Sequence, residues 1–107
     1  MAITPAQIDL WRQEPTEHQA LEFKEAKSTF NFDKLKEYCV AIANEGGGHL
    51  VLGVSDKKPR PVVGSQAFQN TVDTADRLFL AVGCRVEVGA VHHDDGRAAV
   101  VTIPPRR

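Results

Sequence analysis

Apolar and polar positions alternate at two different periods along the chain, and each change of period marks an element. Leu35, Cys39, Ile42 and Ala43 fall at i, i+4, i+7 and i+8, the spacing of one helical stripe. Asn31 is placed to cap that helix, and Asp33 in its first turn suits the positive end of the helix dipole. The run Asn44-Glu45-Gly46 should end it, because glycine accepts the left-handed backbone that closes a helix. His49 to Val54 then reads as a strand buried on both faces, with Gly53 marking a bulge or a close backbone neighbour. The stretch from Cys39 to Val54, a helix turned through three glycines into a buried strand, is the spine of the domain.

The flanks follow the same logic. Thr4 as N-cap and Pro5 at the first helical position start a helix that Pro15 limits to about Gln13. Residues Ala20 to Ala26 alternate, with Leu21 and Phe23 on one side and Glu22 and Lys24 on the other, as in a half-buried strand. A charged, proline-bearing loop spans Ser55 to Pro61, and Val62-Val63 forms a short strand. Ser65 is expected to cap a second main helix with Phe68, Val72, Ala75, Phe79 and Val82 as its stripe and Gly83 as its stop. Cys84 to Val91 alternates with Cys84, Val86, Val88 and Ala90 on one face, Asp95-Gly96 signals a hairpin, and Ala98 to Ile103 returns. The prediction is an α+β fold: a small mixed sheet, two main helices and an N-terminal helix.

Length and composition set the class. At 107 residues, 42% apolar and 25% charged, the chain is one ordinary globular domain with no apolar run long enough to cross a membrane. The N-terminus lacks the basic-then-apolar order of a signal peptide, and Cys39 and Cys84 read as reduced core thiols, so a cytoplasmic protein is expected. The segment Ile103-Pro104-Pro105-Arg106-Arg107 reads as the edge of a domain forming the N-terminal part of a longer chain. A net charge of −1 gives little non-specific attraction to phosphate backbones, which leaves local clusters such as Lys57-Lys58-Pro59-Arg60.

Glu17, Glu22 and Asp56 are the acidic residues placed to hold a hard cation, since Mg²⁺ and Mn²⁺ take a few carboxylates and activate water. Five residues apart, Glu17 and Glu22 converge only if the chain bends between them; otherwise Glu17 ends a turn and Glu22 is an exposed strand residue. Glu22 and Lys24 share a strand face, where a cross-strand ion pair is the plainer use. The glycine turn lacks the G-K-[ST] of a P-loop and follows a helix instead of preceding one, so no cofactor of that kind is expected. His92-His93-Asp94-Asp95 reads as a solvated hairpin tip, and Cys39 on a buried stripe is a poor nucleophile.

Four linked motifs carry a resemblance. Glu17-x4-Glu22-Phe23-Lys24, Ala41-Ile42-Ala43-Asn44-x-Gly46-Gly47, Leu52-Gly53-Val54-x-Asp56 and Val63-Gly64 occur in order. Together they resemble the AlbA-type domain of the Schlafen family, with Ile42 in place of the usual phenylalanine and Glu45 where threonine is common. The resemblance implies a nucleic-acid-facing α+β domain of the kind found at the front of bacterial proteins classed as transcriptional regulators. DNA or RNA is then the expected partner, contacted by Lys24, Lys57, Lys58 and Arg60. Eukaryotic relatives cleave structured RNA with two glutamates and an aspartate that match Glu17, Glu22 and Asp56 here. The alternative is therefore a Mg²⁺- or Mn²⁺-dependent endoribonuclease acting on RNA such as tRNA, with Lys24 beside the phosphate. A third reading is a self-association module, a homodimer paired through exposed strand edges.

Overall fold

The computed structural model describes residues 3–15 and 20–106. Thr4 caps the first helix, α1 (Pro5–Arg12), by accepting the Gln7 N–H. Strand β1 (Leu21–Lys24) alternates buried and half-buried residues as its sequence predicts. Helix α2 (Phe32–Asn44) is capped by the Asn31 side chain, which accepts the Lys34 N–H, and its buried residues are Leu35, Cys39, Ile42 and Ala43. Glu45 and the glycines after it close α2, with the Gly47 N–H donating to the Ile42 carbonyl at 2.8 Å.

Strand β2 (Gly48–Leu52) lies between β1 and the C-terminal hairpin. Helix α3 (Thr71–Val82) precedes that hairpin, formed by β3 (Glu87–His93) and β4 (Gly96–Ile103) around a two-residue turn. The sheet order is β1-β2-β4-β3. β1 runs parallel to β2, as a crossover through α2 requires, and the other pairs are antiparallel. Strand parity divides the core. Leu50, Leu52, Ala99, Val101 and Ile103 face α2 and α3, whereas Phe23, Val51, Ala98 and Val100 face the side of Ile8 and Trp11 on α1. Both faces of the sheet are covered, and in the second half of β2 Leu50, Val51 and Leu52 are fully buried.

Gly53 ends β2 at φ +104°, where a Cβ would stand 2.8 Å from the Arg97 carbonyl oxygen. Only glycine permits that approach. Val54 then bridges Val62 across the loop.

The second main helix corrects the sequence expectation. Ser65 does not cap it: Ser65 is fully buried, its hydroxyl donates to the Ala26 carbonyl at 2.6 Å, and it accepts the Ala67 N–H. Phe68 adopts φ +54°, which a helix cannot contain, and α3 starts six residues after Ser65 with Asn70 accepting the Asp73 N–H. The inward face of α3 is also rotated from the expected stripe. Thr74 and Leu78 are its buried residues, whereas Val72 is 71% exposed and Phe79 40%.

Candidate nucleic-acid interface

The loop from Ser55 to Pro61 leaves the sheet at the C-terminal end of β2, beside the end of β1, where the Gly53 N–H donates to the Lys24 carbonyl at 2.8 Å. Its ends are clipped together by the Ser55 N–H donating to the Pro61 carbonyl at 3.0 Å. Within it, the Lys57 N–H donates to the Ser55 hydroxyl, and the Arg60 N–H donates to the Lys57 carbonyl at 2.8 Å. Lys58-Pro59 is a cis peptide. Asp56, Lys57 and Lys58 are all exposed on this braced frame.

Arg60 does not join them. It is 2% exposed, its guanidinium lies 4.9 Å over the Phe23 ring, and Nη1 donates to the carbonyls of Arg12 and Glu14. Arg12 answers by donating from Nε to the Arg60 carbonyl at 2.7 Å. Arg60 thus fails the expectation of a surface contact for a physical reason. A guanidinium that satisfies two backbone carbonyls and stacks on a buried ring is an anchor, and it holds the loop that presents Lys57 and Lys58. Its Nε is buried without a partner.

On β1, Glu22 and Lys24 sit on the α2 side of the sheet, opposite Leu50 and Leu52 in register. The Lys24 ammonium lies 5.4 Å from the centre of the Tyr38 ring. Lys27, which the sequence reading passed over, is exposed just beyond β1, its carbonyl accepting the Gln66 N–H at 2.9 Å. Glu17 lies outside the described residues. Among the described residues no three acidic, histidine or cysteine side chains come together as a metal site.

A second polar cluster lies on the α1 side. Asp9 accepts from Arg12 Nη1 at 2.7 Å and from His93 Nε2 at 2.8 Å, while His93 Nδ1 accepts the Asp95 N–H at 3.0 Å. In this arrangement Nε2 faces the Asp9 carboxylate as donor while Nδ1 accepts from the turn. The hydrogen bonds from His93 and then Arg12 hold the Asp9 carboxyl below its ordinary 3.8. The cluster ties the hairpin tip to α1 and borders a cavity of about 440 Å³ with Gln13 and Pro59. His49 stacks near Trp11, centroids 4.6 Å apart, and burial lowers its pKa. Burial, with Cys84 nearby, pushes the Cys39 thiol up to about 12.

A four-stranded mixed sheet with two helices on one face and one on the other, and a braced lysine loop at the end of its parallel pair, defines a small α+β module. The chain belongs to the Schlafen AlbA_2 family, whose model matches residues 17–106. The fold is similar to that of the DIP2311 protein from Corynebacterium diphtheriae, at a TM-score of 0.71 and 21% identity. That match covers 94% of this chain, which spans 22% of the length of the DIP2311 chain. It is also similar to the N-terminal domain of a RecG-related protein from Nitrosomonas europaea, named as a candidate ATP-dependent DNA helicase. There the TM-score is 0.64 at 20% identity, over 99% of this chain and 76% of that one. No curated protein matches the chain. No helix among the described residues is long and apolar enough to cross a membrane.

Proposed function

We propose that this domain is a nucleic-acid-binding module that grips the phosphate backbone with Lys57 and Lys58, assisted by Lys24 and Lys27, within a transcriptional regulator. The observation that carries the reading is the braced loop: two exposed lysines sit on a frame whose own arginine is spent inward as its anchor. Exposed lysines on an ordered loop meet phosphates at a smaller entropic cost than lysines on a loose one. Family membership and the likeness to a RecG-related N-terminal domain support the same role. With a net charge of −1 the rest of the surface adds no attraction, so affinity rests on these few contacts and is modest and salt-sensitive.

Fluorescence anisotropy with a labelled RNA hairpin and a labelled DNA duplex at low salt tests this. Binding that weakens in Lys57→Ala/Lys58→Ala with the fold intact supports the module. Strand cleavage that needs Mn²⁺, stops with EDTA and is lost in Glu22→Ala would replace it with the nuclease reading. Absence of both binding and cleavage in a folded sample would overturn it.

A further inference from the structure

The cavity of about 440 Å³ beside α1 carries hydrogen-bonding capacity that the fold does not use. Asp9 receives both Arg12 and His93 on Oδ1, which leaves Oδ2 open. Arg12 spends Nε on the Arg60 carbonyl and Nη1 on Asp9, which leaves Nη2. The Asp95 carboxylate is exposed and stands 4.0 Å from His93 Nδ1, outside hydrogen-bonding distance, so both its oxygens are open. Gln13 is exposed too, and among the described residues its side-chain amide has no partner. Pro59 supplies the apolar wall, and it directly follows Lys58 of the lysine loop.

We propose that this cavity takes the base of one unpaired guanine nucleotide while Lys58 holds the adjoining phosphate. The inference rests on the nucleic-acid reading above and adds to it a base and a strand state. The volume lies within the roughly 300–1,000 Å³ of small-ligand clefts. The open groups are rich in acceptors: two carboxylates and an amide oxygen stand with one guanidinium nitrogen and one amide NH2. The Watson–Crick edge of guanine is their complement, with N1–H and the 2-amino group as neighbouring donors and O6 as its one acceptor. Adenine, cytosine and uracil each present a single donor position on that edge. A carboxylate therefore spans two donors on guanine alone. The pair falls to Asp95, and O6 falls to Arg12 Nη2.

A duplex hides that edge in its base pairs, so the strand bound is single or has the base looped out. The carboxylates repel phosphate, and they select without adding attraction to the backbone. Affinity stays with the lysines and choice of base with the cavity, on two sides of the Lys58–Pro59 bond.

Fluorescence anisotropy at low salt tests this with a labelled single-stranded RNA of cytidine and uridine that carries one central guanosine, and with the same strand carrying adenosine or inosine there. Inosine keeps N1–H and O6 and lacks only the 2-amino group. Wild type should bind the guanosine strand roughly tenfold more tightly than the adenosine strand, with inosine between them. Asp95→Asn keeps the shape of the hairpin tip but turns one acceptor into a donor, and it should abolish the preference. Lys57→Ala/Lys58→Ala should weaken all three strands and keep their ratio. Equal binding of the guanosine and adenosine strands, with the lysine dependence intact, would overturn the base pocket and leave the binding module standing. A preference that survives Asp95→Asn, or an inosine strand bound as tightly as guanosine, would overturn it as well. No binding of any strand by folded protein would overturn both the pocket and the module.

Discussion

The Arg60 guanidinium stacks 4.9 Å above the Phe23 ring, which joins the lysine loop to the first strand of the sheet. The joint is buried and hydrogen-bonded to the Arg12 and Glu14 carbonyls, so the loop is a structural part of the domain and not an appendage. Arg60→Ala should destabilise the fold by about 2–3 kcal/mol, because charge-assisted bonds and a stacked cation are lost together. Arg60→Lys should recover only part of this, since an ammonium can donate to both carbonyls as Nη1 does but has no planar face to lie on the ring. The urea midpoint of each variant checks this.

Gly53 should tolerate no side chain. Gly53→Ala places a Cβ 2.8 Å from the Arg97 carbonyl oxygen at φ +104°, and a loss on the order of 2 kcal/mol is expected. Gly89→Ala, where a Cβ meets nothing within 4 Å, should stay within about 0.5 kcal/mol of wild type. Thermal unfolding of the two variants separates them.

Acid should weaken the fold in two stages. His49 is held neutral by burial, so its folded pKa lies below the ordinary 6.5. The unfolded chain then binds the extra proton first, and stability is lost as pH falls from 6.5 through the lower folded value. Asp9 acts in a more acidic window. Its folded pKa lies below 3.8, so its contribution is full above that value and is lost as pH falls through the folded one. His49→Gln should flatten the first limb of a stability–pH profile and Asp9→Asn the second.

The two cysteines should differ in reactivity. Cys39 is fully buried with its thiol pushed up to about 12, whereas Cys84 is half-buried. In the native protein iodoacetamide should alkylate Cys84 first, and Cys39 only on unfolding, as peptide mass spectrometry would show.

Elements set by local chemistry were legible in the sequence. The Thr4 and Asn31 caps, the α2 stripe, the β1 alternation and the Asp-Gly hairpin all rest on side chain–backbone bonds or periodicities within a few residues. The start of α3 was not, because Ser65 makes a local bond like that of a cap while Phe68, at positive φ, breaks the helical path. Nor was the facing of α3, since Val72, Phe79 and Leu80 are apolar yet turned outward.

In the candidate interface, Lys57 and Lys58 could be read from their charge, but the inward turn of Arg60 could not. Its partners Arg12 and Glu14 lie 48 and 46 residues away in sequence. The Asp9–His93 contact was hidden by a separation of 84 residues.

In the proposed interface, Lys57 and Lys58 hold phosphates. The most direct measurement is the salt dependence of RNA affinity for wild type and for Lys57→Ala/Lys58→Ala. Each lost phosphate contact should lower the slope of log K against log salt by about 0.7–0.9, so the double variant should bind more weakly with a slope shallower by about 1.5. A double variant that folds and binds with the wild-type slope would contradict the account.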